Sequence, residues 1–209
     1  MNKLVLVRHG LSEYNKLGIW AGWEDPDLAP EGVEQAQKTG QELSDIHFDF
    51  AYSSDLKRAT HTLDVIKTQI NQDVPTAIDK ALRERNYGDY THKNKWQVKE
   101  EVGEEEFQKL RRSWDYPPPN GESLKMVYDR IVPYYESEIL PKLKTGKNVL
   151  VSSSGNALRA LVKHLENIPD DQVMNLEIGT GEAYVYQIDE NGKILSKEIR
   201  GENPNKGKV

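Results

Sequence analysis

The 209-residue sequence predicts an α/β fold, a three-layer α/β/α sandwich with a mostly parallel central sheet. Three observations predict it: a strand-length apolar run recurs three times, a polar turn follows each run, and helix-spaced apolar residues follow each turn.

The first run, Lys3 to Val7 (KLVLV), is a short continuous apolar stretch suited to a strand covered on both faces, and it stops at Arg8-His9-Gly10. A helix is expected from about Glu31 to Leu43, with Val33, Ala36 and Leu43 inward. The second run, Phe48 to Ser53, passes through Ser54 and Asp55 into a helix patterned by Leu56, Ala59, Leu63, Ile66 and Ile70. Ser54 or Asp55 is the expected N-cap, since either side chain can accept from the first free amides. A long helix should start near Ser123 and run through Leu124, Val127, Ile131 and Ile139, kinked or broken at Pro133. The third unit is a strand at Asn148 to Val151, a polar turn at Ser152 to Asn156 and a helix at Ala157 to Leu165. Ala183 to Ile188 and Ile194 to Ile199 then flank Asn191-Gly192, a hairpin signature. The polar residues 202–209 are expected to be mobile. With no repeat and no linker, residues 1–209 read as one domain; Pro117-Pro118-Pro119 is too short and too embedded to divide it.

Composition narrows the chemistry. The chain has no cysteine, which removes disulfides, thiolate metal sites and thiol nucleophiles. Its net charge of −6 opposes general nucleic-acid binding, so a basic site must be local. No apolar run has membrane-spanning length, and the N-terminus has no signal-peptide core, so a cytoplasmic protein is expected.

Ligands of open α/β sheets bind at the carboxyl ends of the strands. Three loops there bring together Arg8 and His9, then Ser53, Ser54 and Arg58, then Ser154, Gly155 and Asn156. Guanidiniums, an imidazole, hydroxyls and helix N-termini at one sheet edge suit a phosphate group. Each residue alone has a plainer reading. A histidine after a strand is commonly satisfied by local hydrogen bonds, Arg58 could be solvated, and Arg111-Arg112 beside Trp114 could be surface packing.

Their joint order carries more. LVRHG at 6 to 10 followed by SEYN at 12 to 15 resembles the phosphohistidine signature of the histidine phosphatase superfamily. AGW at 21 to 23, LKRA at 56 to 59, RERNYG at 83 to 88, NK at 94 and 95, RRSWDYPPP at 111 to 119, GESLK at 121 to 125 and GNALRALVKHLE at 155 to 166 narrow the likeness to its cofactor-dependent phosphoglycerate mutases. The resemblance spans nearly the whole chain. It implies glycolytic transfer of a phosphoryl group between the 2- and 3-positions of glycerate, primed by 2,3-bisphosphoglycerate and needing no metal. It casts His9 as nucleophile, Glu84 as general acid and base, and Arg8, Asn15 and Arg58 as the grip on the phosphoryl oxygens. Gly22, Tyr87, Lys95, Arg111 and Arg112 would hold the rest of the substrate, with Ser12, Ala21, Arg85, Gly155 and Asn156 also expected in the binding region. Small phosphorylated metabolites are the implied partners, and a homodimer or homotetramer the implied assembly. By the same likeness the tail, with Lys206 and Lys208, could fold over the site.

Two positions depart from the family pattern. Ala21 stands where the family usually has a hydroxyl residue, a loss of about 0.5–1.5 kcal/mol if uncompensated. Ser154 stands where the family has its second catalytic histidine, and losing such a charged donor commonly costs about 3–4 kcal/mol, or a hundred- to a thousandfold in rate. His61 and His164 fall in predicted helices, away from the sheet edge. The expectation is therefore an impaired mutase. The alternatives are a phosphohydrolase using the same His9, which would not need the substrate-holding cations, and a non-catalytic phosphometabolite-binding protein, for which Ser154 is the support.

Overall fold

The computed structural model describes residues 2–204 and 206–207. Its sheet is six-stranded, built from β1 (Asn2–Arg8), β2 (Phe50–Ser53), β3 (Thr76–Ile78), β4 (Val149–Ser153), β5 (Ala183–Ile188) and β6 (Ile194–Arg200) in the order β3-β2-β4-β1-β5-β6. The neighbours from β3 to β1 are parallel; β5 and β6 add antiparallel to the β1 edge. The predicted α/β sandwich is thus present, with a mixed sheet whose parallel part carries the expected loops.

Alternation along the central strands explains the layers, since successive side chains point to opposite faces. Leu4 and Leu6 of β1 join one core with Val149 and Val151, while Val5 and Val7 join another with Leu150 and Ala51. Helices α2 (Pro30–Glu42) and α3 (Lys57–Gln69), which follow the short α1 (Glu13–Lys16), cover the second core. Helices α6 (Leu124–Tyr134) and α8 (Gly155–Glu166) cover the first.

Several local expectations change. Ser152 and Ser153 belong to β4 and not to a turn, because their buried hydroxyls donate to the carbonyls of Ala59 and Leu82 at 2.8 and 2.6 Å. The N-cap of α3 is Leu56, with no side-chain cap; Asp55 is taken instead by Arg83, at 2.6 and 2.5 Å. Val33 is only half-buried, and the inward face of α2 is Gly32, Ala36, Thr39 and Gly40. Small residues are required there because a Cβ on Gly40 would lie 2.6 Å from Gln69 Cβ of α3. Pro133 stays inside α6, and the disruption appears just after it as a π-helical stretch, Tyr135–Ile139, before α7 (Leu140–Lys144).

Residues 95–112, given no element by the sequence reading, form α4 (Lys95–Val102) and α5 (Glu104–Arg112). They pack on a small separate cluster of Trp20, Val98 and Phe107, bordered by Tyr87, Tyr90 and Val102. In the C-terminal segment, Asn203 bonds Thr180 and Glu182, and Lys206 pairs with Glu182 at 2.9 Å. Asn205, Lys208 and Val209 lie outside the described residues. Among those residues no helix is long and apolar enough to cross a membrane.

Candidate active site

The cavity opens at the carboxyl ends of β1 and β4 and is roofed by the α4–α5 segment. His9 follows β1, is 3% exposed, and has its backbone N–H fixed on the Ser153 carbonyl at 2.9 Å. Its Nδ1 lies 2.7 Å from the Gly10 carbonyl oxygen, so Nδ1 carries the proton and Nε2 keeps the lone pair. Burial lowers the His9 pKa well below its usual value, and the charges of Arg58 and Arg8 lower it further. The imidazole is therefore neutral and nucleophilic at neutral pH.

The turn holding His9 depends on two glycines. A Cβ on Gly10 would sit 2.1 Å from the Gly32 carbonyl oxygen, and one on Gly32 2.1 Å from that of Leu11. Backbone thus meets backbone where α2 starts.

Around His9 stand Arg8 and Arg58, both buried. Arg8 Nη1 donates to the Ile178 carbonyl at 2.6 Å, while its Nε is buried without a partner. Gly155 allows this path, since its Cβ position is 3.3 Å from Arg8 Nε. Arg58, in the first turn of α3, donates to the carbonyls of Gly22 and Glu24, each at 2.8 Å, and so holds the 21–24 loop against the site. Asn15 is set by a capping box with Ser12 at the start of α1.

Glu84 faces His9's neighbours from the segment after β3. Its carboxylate accepts the Arg85 N–H at 2.6 Å and the Asn156 N–H at 3.3 Å. The second bond takes one of the amides that Ser154, the N-cap of α8, could accept from. Serine at an N-cap ordinarily accepts from an amide of the first helical turn, but the Asn156 amide of α8 is given to Glu84. The Ser154 hydroxyl is left fully buried with no hydrogen-bond partner. The Glu84 carbonyl in turn accepts from Trp23 Nε1 at 2.8 Å and Arg130 Nη2 at 2.9 Å.

The roof supplies further cations. Lys95 begins α4 behind its Asn94 cap; burial first, then Arg111 and Arg8, lower its pKa to about 7. Arg111 and Arg112 end α5, where the helix dipole favours positive charge. Arg111 lies over the Phe107 ring, and Arg112 pairs with Glu177. Tyr87 stacks on Trp20 at 5.3 Å and accepts from Asn156 Nδ2 at 2.9 Å.

Of the residues singled out by sequence, Arg8, His9, Asn15, Ala21, Gly22, Arg58, Glu84, Tyr87, Lys95, Arg111, Arg112, Gly155 and Asn156 line one cavity. Ser12, Arg85 and Ser154 stand behind it: Ser12 caps α1, and Arg85 is buried under Tyr87 with one bond to the Leu110 carbonyl. His61 and His164 do not line it. Arg159, Glu177, Ile178, Ile19 and Trp20 also line the cavity and were not singled out. Arg159 could have been found from its place in α8, one turn after Asn156, whose side-chain oxygen it binds at 2.8 Å. Burial, then Arg85 and Arg112, lower its pKa to about 9. Glu177, in the connection from α8 to β5, gave no periodic signal.

A buried neutral histidine among guanidiniums, with a carboxylate beside it, is an arrangement chemically suited to a phosphoryl group. The sequence profile of the histidine phosphatase superfamily (branch 1) matches residues 4–198, and the chain is an enzyme of that superfamily. Within it the chain belongs to the family of cofactor-dependent phosphoglycerate mutases. It is 44% identical over 201 residues to a 2,3-bisphosphoglycerate-dependent phosphoglycerate mutase of Parvibaculum lavamentivorans, covering 95% of this chain and 96% of that one. It is 42% identical to a phosphoglycerate mutase of Schizosaccharomyces pombe, with 95% of each chain covered. Among solved structures, a mycobacterial glucosyl-3-phosphoglycerate phosphatase superposes with a TM-score of 0.83 at 21% identity, covering 96% of this chain and 98% of that one. That likeness is one of fold.

Proposed function

We propose that the protein interconverts 3-phosphoglycerate and 2-phosphoglycerate through a phosphohistidine at His9, and that Ser154 slows it. The observation that carries this reading is His9 itself, neutral, with Nδ1 tied to the Gly10 carbonyl, in a cavity lined by six cationic side chains. The lining suits a multiply phosphorylated acid: Arg8 Nε and Arg159 Nε are buried donors without partners, and the Lys95 and Arg159 pKa values are lowered first by burial and then by neighbouring cations. 2,3-Bisphosphoglycerate, when bound, supplies the phosphoryl group that charges His9.

Arg8, Arg58 and Asn15 would grip the transferring oxygens, neutralising charge as it spreads in a loose transition state. Lys95, Arg111, Arg112, Arg159 and Tyr87 would hold the carboxylate and the other phosphate, so that either glycerate hydroxyl can be presented to His9. Glu84, its carboxylate oriented by two backbone amides, would take the proton from the attacking hydroxyl and return it to the leaving one. Ser154 offers a short neutral hydroxyl where a cationic donor would stabilise the phosphoryl oxygens.

The test is to mix the protein with 2,3-bisphosphoglycerate, read acid-labile phosphate on His9 by intact mass, and assay 3-phosphoglycerate turnover alongside Ser154→His. The expected result is phosphorylation of both forms and a gain of about a hundred- to a thousandfold in rate for the variant. No gain sinks the account of position 154, and no phosphorylation of either form sinks the enzyme mechanism. Free phosphate released faster than 2-phosphoglycerate would establish a hydrolase instead.

A further inference from the structure

Among the described residues lining the cavity, six are cationic and two, Glu84 and Glu177, are acidic. Glu84 is committed through both carboxylate oxygens to backbone amides. Glu177 differs. Its carboxylate pairs with Arg112, and the two side chains remain 21% and 20% exposed.

The backbone under Glu177 is fixed. Its carbonyl accepts from Tyr184 Oη at 3.0 Å, the next carbonyl, that of Ile178, accepts from Arg8 Nη1, and Gly181 N–H donates to the Arg8 carbonyl at 3.1 Å. Residues 177–182 thus form a strap tied to the same arginine that faces His9. A fixed strap presents Glu177 to Arg112, but the carboxylate sits on a flexible two-carbon stem that can swing away. An Arg–carboxylate pair has the planar fork geometry that an Arg–phosphate pair would also use, so a ligand anion and Glu177 compete for one set of donors.

We propose that Glu177 is a displaceable internal counter-anion that sets ligand selectivity, opposing anions long enough to reach Arg112 from the His9 end and leaving compact ones unaffected. The identity of the extended ligand rests on the mutase reading above; the competition does not. Glu177 therefore weakens hold on a bisphosphorylated acid relative to inorganic phosphate, and speeds its release for reorientation.

The experiment is calorimetric titration of the wild-type chain and Glu177→Gln with three probes: inorganic phosphate, 2,3-bisphosphoglycerate and tripolyphosphate. The expected result is about tenfold tighter binding of 2,3-bisphosphoglycerate and of tripolyphosphate by the variant, with phosphate changed less than about twofold. Weaker binding of the extended probes by Glu177→Gln would mean that Glu177 props Arg112 in place, and would overturn the proposal. An equal gain for phosphate would reduce the effect to net charge and overturn it too. If neither form binds 2,3-bisphosphoglycerate while tripolyphosphate shows the selective gain, the glycerate reading falls and the counter-anion stands.

Discussion

The two halves of the cavity are built on different foundations. The sheet-edge half, with His9, Arg8, Arg58 and Asn156, is held by strands whose two faces join the two large cores, and by backbone contacts as tight as Gly10 against Gly32. The roof half, with Lys95, Arg111 and Arg112, rests on a cluster whose fully buried members are Trp20, Val98 and Phe107. Groups that make and break bonds need fixed geometry, whereas groups that hold and turn a ligand gain from a support able to open. On the proposed roles, the half with the larger packed support carries the groups that make and break bonds.

The sharpest way to break this contrast is Phe107→Ala. Phe107 is 1% exposed and touches Trp20, Trp96 and Arg111. Truncating a buried Phe costs about 3–5 kcal/mol, which here should fall on the roof alone. Hydrogen exchange should show α4 and α5 deprotected while β1 and β4 keep their protection. Equal loss in both regions would mean that the roof and the sheet are one cooperative unit.

Gly32→Ala strikes the other half. Its Cβ would lie 2.1 Å from the Leu11 carbonyl oxygen, a contact that only backbone movement can relieve, and overpacking of this kind costs about 1–3 kcal/mol. The denaturation midpoint should drop, and on the proposed mechanism phosphorylation of His9 should fall with it, because the displaced segment carries His9. A variant of wild-type stability and phosphorylation would show that the turn is more plastic than its packing suggests.

The two halves also differ in how far the sequence disclosed them. Strands β1, β2 and β4 were legible because buried parallel strands read as short apolar runs, and the Arg8, His9 and Arg58 loops follow from where such strands end. The roof was not: α4 has few apolar residues, and α5 opens on Glu104, Glu105 and Glu106, so residues 95–112 look like a solvated charged stretch. Lys95, Arg111 and Arg112 could be placed there only through the family likeness. Ser152 and Ser153 misled for the opposite reason, polar residues in a buried strand whose hydroxyls find carbonyls 93 and 71 residues away in sequence, respectively.

Between the halves lies Glu84, and Arg130 is the residue that sets its height. Arg130 donates to the carbonyls of Ala81 and Glu84 and pairs with Glu122, which itself accepts the Asn86 N–H at 2.8 Å. This bracket holds the segment carrying the carboxylate from behind. If Glu84 has the proposed proton-transfer role, Arg130→Met should lower kcat by about tenfold, since small misplacements of such a group are costly, with little change in the affinity of inorganic phosphate. Loss of phosphate affinity by the same factor would make Arg130 a general support of the cavity.

The smallest expected effect reads the roof's electrostatics directly. In the free protein Lys95 titrates at about 7, far below its usual 10.5, because it is buried beside Arg111 and Arg8. Near pH 7 it is therefore only partly protonated, and an anion bound beside it favours the charged form and raises its pKa. Binding of sulfate, an anion that does not itself titrate in this range, should take up a proton fraction between pH 7 and 8, about one half at pH 7 and more at pH 8, and its affinity should decline as pH rises past 7. The same shift fixes a sign for stability: the lowered pKa contributes stability that is present above 10.5 and is lost as pH falls through about 7. Titration calorimetry in buffers of different ionisation enthalpy measures the uptake, and Lys95→Met should abolish it. Uptake that survives in Lys95→Met would assign the proton to another cavity group and remove the electrostatic distinction between the crowded roof and the neutral His9 of the sheet-edge half.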